Sequence, residues 1–164
     1  MIPFDYRHKR LLVIAGLILL VDQVSKMMIV DAMPLFHSIE VIPGFFSLTH
    51  VKNPGGAFGF LAASGSNVRI FIFIFVSLAA VFFLLYIYMQ TPQKYRALSI
   101  GFALVLGGAL GNMTDRIRLG EVTDFFDFYV RNLHWPAFNV ADAAITVGMS
   151  VVLFYFLFRK DIFE

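Results

Sequence analysis

Four long apolar runs set the plan of this chain. Residues 11–21 begin the first, which resumes at residues 27–30 to give roughly 20 residues, the length needed to cross a hydrocarbon core as a helix. Residues 68–89 form the second, rich in Phe and Ile, residues 97–113 the third, and residues 138–158 the fourth. The pattern predicts four membrane-spanning helices at about 11–30, 68–89, 97–113 and 138–158. Between the first two, at about 33–66, the chain turns polar and irregular. There Ser38–Ile42 and residues 46–52 alternate apolar and polar positions around Pro43 and Gly44, which predicts short strands and a small β-rich cap outside the bilayer. The turn at residues 91–96 is short, so the third helix must return antiparallel to the second. In the loop at about 114–137, Asp124 and Asp127 stand three apart among Phe125, Phe126 and Phe128, a spacing that suits an amphipathic segment lying at the interface.

Composition settles the class. Of 164 residues, 59% are hydrophobic and 15% charged, and the mean hydropathy is +0.79, values that describe an integral membrane protein and not a soluble domain. Arg7, His8, Lys9 and Arg10 before the first run resemble the start of a signal peptide, but no small-x-small cleavage site follows, so a retained helix is expected. Arg7, Lys9, Arg10, Lys94, Arg96, Arg159 and Lys160 lie in the termini and the short turn, whereas the two longer loops carry only Lys52, Arg116, Arg118 and Arg131. The positive-inside bias therefore puts both termini in the cytoplasm, and the cap and the 114–137 loop outside. Basic residues do not interleave with aromatics, so no nucleic-acid partner is expected. With no cysteine there is no disulfide, thiolate metal site or Cys nucleophile.

Polar residues inside such a chain need an explanation, because an unpaired charge beside hydrocarbon is strongly disfavoured. Asp22 and Lys26 are four apart on one helical face, acid before base, as in a stabilising pair. Ala103, Gly107 and Gly111 form a small-residue stripe suited to close helix packing, with Gly108 and Asn112 on the adjoining stripe. Asn112 and Arg116 again share a face. Asn53 opens a Gly-rich turn through Gly55 and Gly59 whose backbone can take positive φ, although a plain turn explains it equally well. Asp142, with Asn139 before it, has a structural reading as a first-turn acid with its N-cap. Asp124 and Asp127 could merely face water.

Taken together the acids suggest more. The topology puts Asp124 and Asp142 at one depth on one side, joined by the loop through Trp135 and Pro136. Two carboxylates that meet share a proton and their pKa values split, so that one activates water and the other protonates the scissile group. No H-E-x-x-H or G-x-S-x-G motif offers a competing chemistry, and His8, His37, His50 and His134 have no metal-ligand spacing; serine–histidine catalysis stays open, although no pair singles itself out. Neither a metal nor another cofactor is expected. Two other classes stay open on residues alone: a small transporter whose Asp22, Asp124, Asp142 and Arg116 line a polar path, disfavoured by the lack of an internal repeat, and an assembly protein using the glycine face.

The ordered blocks Asp22-Gln23-Val24-Ser25-Lys26, Asn53-x-Gly55-x-Ala57-Phe58-Gly59, Gly107-Gly108-Ala109-x-Gly111-Asn112-x-x-Asp115-Arg116, Val122-x-Asp124-Phe125-x-Asp127-Phe128 and Phe138-Asn139-x-Ala141-Asp142 resemble the motifs of the bacterial lipoprotein signal peptidase (signal peptidase II) family. The resemblance spans the first helix to the fourth. It implies an inner-membrane aspartic peptidase that cuts prolipoproteins before a diacylglyceryl-modified cysteine, works beside membrane lipids and is blocked by globomycin-type cyclic peptides. By motif it assigns Asp124 and Asp142 to catalysis. Asn53, Gly55, Gly108, Asn112, Arg116, Asn139 and Ala141 correspond to substrate-binding or supporting positions, and Asp22, Lys26 and Asp115 to structural polar ones. A cap that clamps an extended substrate, by adding it as a strand or by closing Phe58 and Phe60 over it, would fit the Gly-rich turn.

Overall fold

The computed structural model describes residues 6–55 and 66–158. The Gly56 to Gly59 turn, Phe58 and Phe60, and the Arg159 and Lys160 stop lie outside the described residues. Among the described residues, four helices are long and apolar enough to cross a membrane: α1 (Tyr6–Ala32), α2 (Ser66–Gln90), α3 (Arg96–Leu119) and α4 (Val140–Phe158). A single antiparallel sheet of β1 (Ser38–Ile42), β2 (Phe46–Asn53), β3 (Val122–Val130) and β4 (Leu133–His134), in that spatial order, sits at one end of the bundle.

The central helix is α3, which packs against the other three. Its glycines explain why. A side chain at Gly107 would strike the backbone of Ala15 in α1, with the carbonyl oxygen only 2.7 Å from the added carbon, and one at Gly108 would overlap the carbonyl of Ala141 in α4. The two adjoining small-residue stripes therefore face two different helices, and backbone contact replaces side-chain interdigitation on both. Towards the other end of the bundle the core is conventional, with Leu11, Tyr88, Leu98, Phe102, Leu106 and Val152 buried together. Arg7 ties α1 to the end of α2 by donating to the carbonyl oxygens of Tyr88 and Thr91 while lying over the Tyr88 ring.

Two expectations are corrected. The third helix does not stop near residue 113; it continues to Leu119, where Gly120 takes a left-handed φ of 77° and its N–H closes on Arg116 O. The polar residues Asn112, Asp115 and Arg116 thus remain on a regular helix, where Asn112 meets Lys26 of α1 and Asp142 of α4, and Asp115 meets Lys26 and the backbone N–H of Thr123 in β3. Val122–Val130, expected within a loop, is likewise a strand, pairing along β2 from Phe46↔Phe128 to Asn53↔Val122. Its alternation with period two was masked by the apolar residues on both faces. Asp124 and Asp127, an odd number of residues apart, consequently point to opposite faces of the sheet.

Candidate active site

Strand β3 delivers Asp124 and the start of α4 delivers Asp142. After β3 the chain turns through Arg131, at a φ of 56°, and comes back beside the strand, so that Phe138 bridges Phe126 and its carbonyl accepts from both Phe125 N and Phe126 N. That return places Asn139 against Asp124. Asn139 is also the N-cap of α4: its Oδ1 accepts the Asp142 N–H at 3.0 Å, and Asp142 Oδ2 accepts the Asn139 N–H at 3.3 Å, a reciprocal capping box. The reading of Asp142 as a first-turn acid with Asn139 as its cap is realised in this geometry.

Three asparagine amides hold the two acids. Asn139 Nδ2 donates to Asp124 Oδ1 at 2.6 Å, and Asn53 Nδ2 donates to Asp124 Oδ2 at 2.9 Å. Asn112 Nδ2 donates to Asp142 Oδ1 at 2.7 Å, while Asn112 Oδ1 accepts from Asn139 Nδ2 at 3.3 Å. A continuous chain of side-chain hydrogen bonds therefore runs from Asp142 through Asn112 and Asn139 to Asp124. The sheet register accounts for Asn53: Val51 lies opposite Asp124, so Asn53, two residues on, shares its face. Gly55, at a φ of 113°, donates its N–H to Asn53 Oδ1 at 3.0 Å, and any side chain at that glycine would collide with the Phe73 ring.

Asp124 is 2% exposed. Burial pushes its carboxyl from the ordinary 3.8 up to about 6, with the Asn53 hydrogen bond opposing the rise and the negative charge of Asp142 adding to it. Asp142 is only half-buried and lines a groove of about 820 Å³ with Asn53, Trp135, Phe138, Thr146 and Val147. The groove thus opens beside the pair on the Asp142 side.

Behind the acids lies a second polar layer. Lys26 pairs with Asp22 at 2.8 Å and with Asp115 at 2.9 Å, and Asp22 Oδ1 accepts the N–H of Ala141 at 2.9 Å. Gly111 leaves room for that carboxylate, since an added carbon there would lie 2.6 Å from Asp22 Oδ2. Arg116 shares a face with Asn112 but binds its backbone, donating to the carbonyl oxygen at 3.3 Å, and rests over the Phe73 ring. Asp127 stands apart, paired with His134 at 2.9 Å.

Two contributors escaped notice in the sequence. Thr123 is buried, receives Lys52 on its hydroxyl and Asn139 on its carbonyl, and donates its N–H to Asp115; as a plain threonine in an apolar strand it carried no signal. Thr146, which lines the groove, did carry one, lying four residues after Asp142 on the same helical face.

The fold and the site define a multi-pass membrane protein that concentrates two hydrogen-bonded acids at one end of its helix bundle. A family model described as signal peptidase (SPase) II matches residues 14–158, and the chain belongs to that family, a family of peptidases. It is 48% identical over 151 residues to the lipoprotein signal peptidase of Desulforapulum autotrophicum, covering 92% of this chain and 93% of that protein. It is 46% identical over 138 residues to the lipoprotein signal peptidase of Syntrophus aciditrophicus, covering 84% and 86% respectively. Two solved structures described as bacterial membrane enzymes superpose with TM-scores of 0.81 and 0.80 at 30% and 32% identity. Each covers 92% of this chain, and the shares of the solved chains are 89% and 94%.

Proposed function

We propose that this chain is an aspartic endopeptidase of the bacterial inner membrane that removes signal peptides from prolipoproteins, cutting before the diacylglyceryl-modified cysteine. The observation that carries the proposal is the pairing of Asp124 and Asp142 from two separate elements through shared asparagine amides. Asp124, with its raised pKa, holds the proton, and the more accessible Asp142 is the base. Asp142 takes a proton from water as the water oxygen attacks the scissile carbonyl carbon, while Asp124 gives its proton to the carbonyl oxygen, forming a tetrahedral diol. On collapse the C–N bond breaks, Asp142 passes the acquired proton to the leaving amine, and Asp124 recovers its own from the diol hydroxyl as the carbonyl re-forms.

The groove along Asp142, Thr146 and Val147 descends the apolar surface of α4, which suits a substrate whose signal helix and acyl chains lie in lipid. Positive-inside charge supports cytoplasmic termini and a site near the opposite, extracytoplasmic face. Globomycin-type peptides would occupy the same groove. The decisive experiment gives the purified protein in detergent both diacylated and unacylated prolipoprotein and follows the shortened product on a gel. Cleavage of the acylated form alone is expected, with none by Asp124→Asn or Asp142→Asn variants that still insert into the membrane. Near-normal turnover by either variant rejects the acid pair.

A further inference from the structure

The three amides that contact the acids could each be turned the wrong way, since an asparagine has nearly the same shape with its oxygen and nitrogen exchanged but opposite hydrogen-bonding polarity. Asn53 is held by the Gly55 N–H on its Oδ1. Asn139 is held by the Asp142 N–H on its Oδ1. Both locks are backbone groups.

Asn112 receives no backbone N–H among the hydrogen bonds of the described residues; its Oδ1 accepts from Lys26 Nζ at 3.0 Å. An ammonium has three donors and no acceptor. Two of the three go to Asp22 Oδ2 and Asp115 Oδ2 at 2.8 and 2.9 Å, so the third is aimed at Asn112 by a side chain that is itself 5% exposed. The remaining donor on Asn112 Oδ1, Asn139 Nδ2, is longer at 3.3 Å and is shared with Asp124 and the Thr123 carbonyl. Turned over, Asn112 would set its NH₂ against the Lys26 ammonium and its oxygen against the Asp142 carboxylate, two repulsive contacts in a poorly solvated site where such mismatches are costly.

We propose that Lys26 is a positioning residue for the peptidase reaction: it fixes the Asn112 amide so that Nδ2, and not Oδ1, faces Asp142. The inference rests on the peptidase reading given above. It assigns to Asp22 and Asp115 the task of aiming Lys26, beyond a merely structural pairing. Loss of the lock leaves substrate contacts in the groove intact and disturbs only the geometry at the reacting acid, so kcat should fall while KM holds.

Lys26→Met alone strands two buried carboxylates and could simply unfold the protein. The test therefore compares wild type with Lys26→Met in an Asp22→Asn, Asp115→Asn background, measuring thermal unfolding, kcat and KM on a diacylated prolipoprotein. Expected is recovered thermal stability with kcat about tenfold to a hundredfold below wild type and unchanged KM. A stable triple variant with wild-type kcat overturns the proposal. A second measurement does not depend on turnover: the side-chain amide NMR signal of Asn112 in Asn-labelled protein, assigned by its loss in Asn112→Ala. The signal should be sharp in wild type and broadened by amide rotation in the triple variant, and an unchanged sharp signal overturns the lock. If wild type itself fails to cleave while the signal responds as expected, the peptidase reading fails and the lock stands.

Discussion

Asn139 donates to Asp124 at 2.6 Å while accepting the backbone N–H of Asp142 at 3.0 Å, so one side chain caps the fourth helix and joins the two acids. Asn139→Ala should therefore lower both activity and stability. Loss of the cap removes about 0.5–2 kcal/mol, and misplacement of Asp124 lowers kcat by about a hundredfold. Thermal unfolding and cleavage kinetics on the same preparation measure the two effects, and a variant that loses stability alone would show that Asp124 is held without Asn139.

The raised pKa of Asp124 has consequences for both stability and rate. Its folded value of about 6 lies above the ordinary 3.8. The folded protein therefore keeps a proton that the unfolded chain releases, which is a stabilising contribution fully present below the ordinary value and lost as pH climbs through about 6. The loss is on the order of 3 kcal/mol. Melting curves from about pH 4 to pH 7 should show it in wild type and not in Asp124→Asn. If Asp124 is the proton donor, cleavage should decline on the alkaline side with an apparent pKa at or above about 6, since a bound substrate adds to its desolvation.

Glycine substitutions in the bundle should divide sharply. Gly108→Ala drives a methyl group into the Ala141 carbonyl, and Gly107→Ala one into the Ala15 backbone. Because the obstacle is helix backbone, each should separate α3 from a neighbour, depress the melting temperature and reduce cleavage. At Gly16 nothing lies within 4 Å, so Gly16→Ala should be neutral or stabilise by about 0.5–1 kcal/mol. Similar melting temperatures for Gly16→Ala and Gly108→Ala would contradict the packing described for α3.

Asp127 supplies the control among the acids. It shares the motif with Asp124 but faces the other side of the strand, where it pairs with a largely exposed His134. Asp127→Asn should retain most of the cleavage activity and change stability by less than about 1 kcal/mol, the scale of an exposed ion pair. Loss of turnover with normal folding would bring Asp127 into the site.

The local pattern of residues went far in this chain. Apolar runs of spanning length marked all four helices, strand alternation marked β1 and β2, and spacing of four put Asp22 beside Lys26, which the structure pairs at 2.8 Å. These are short-range properties, set by helical and strand periodicity in any surroundings. Asn112 and Arg116 show where such reasoning ends: spacing put them on one face, but that Asn112 meets Lys26 and Asp142 depends on helices distant in sequence.

Only the tertiary structure decided what depends on contacts distant in sequence. The β3 strand read as an interfacial segment because both of its faces are apolar, and pairing with β2 alone makes the alternation meaningful and sends Asp124 and Asp127 to opposite sides. The order of the motifs named the residues around Asp124 and Asp142. Which amide donates to which carboxylate was settled by the return of the chain past Phe138 and by the close approach of three helix backbones at Gly107 and Gly108. The hydrogen-bond polarity of an asparagine is set by its neighbours and is invisible in its own position along the chain.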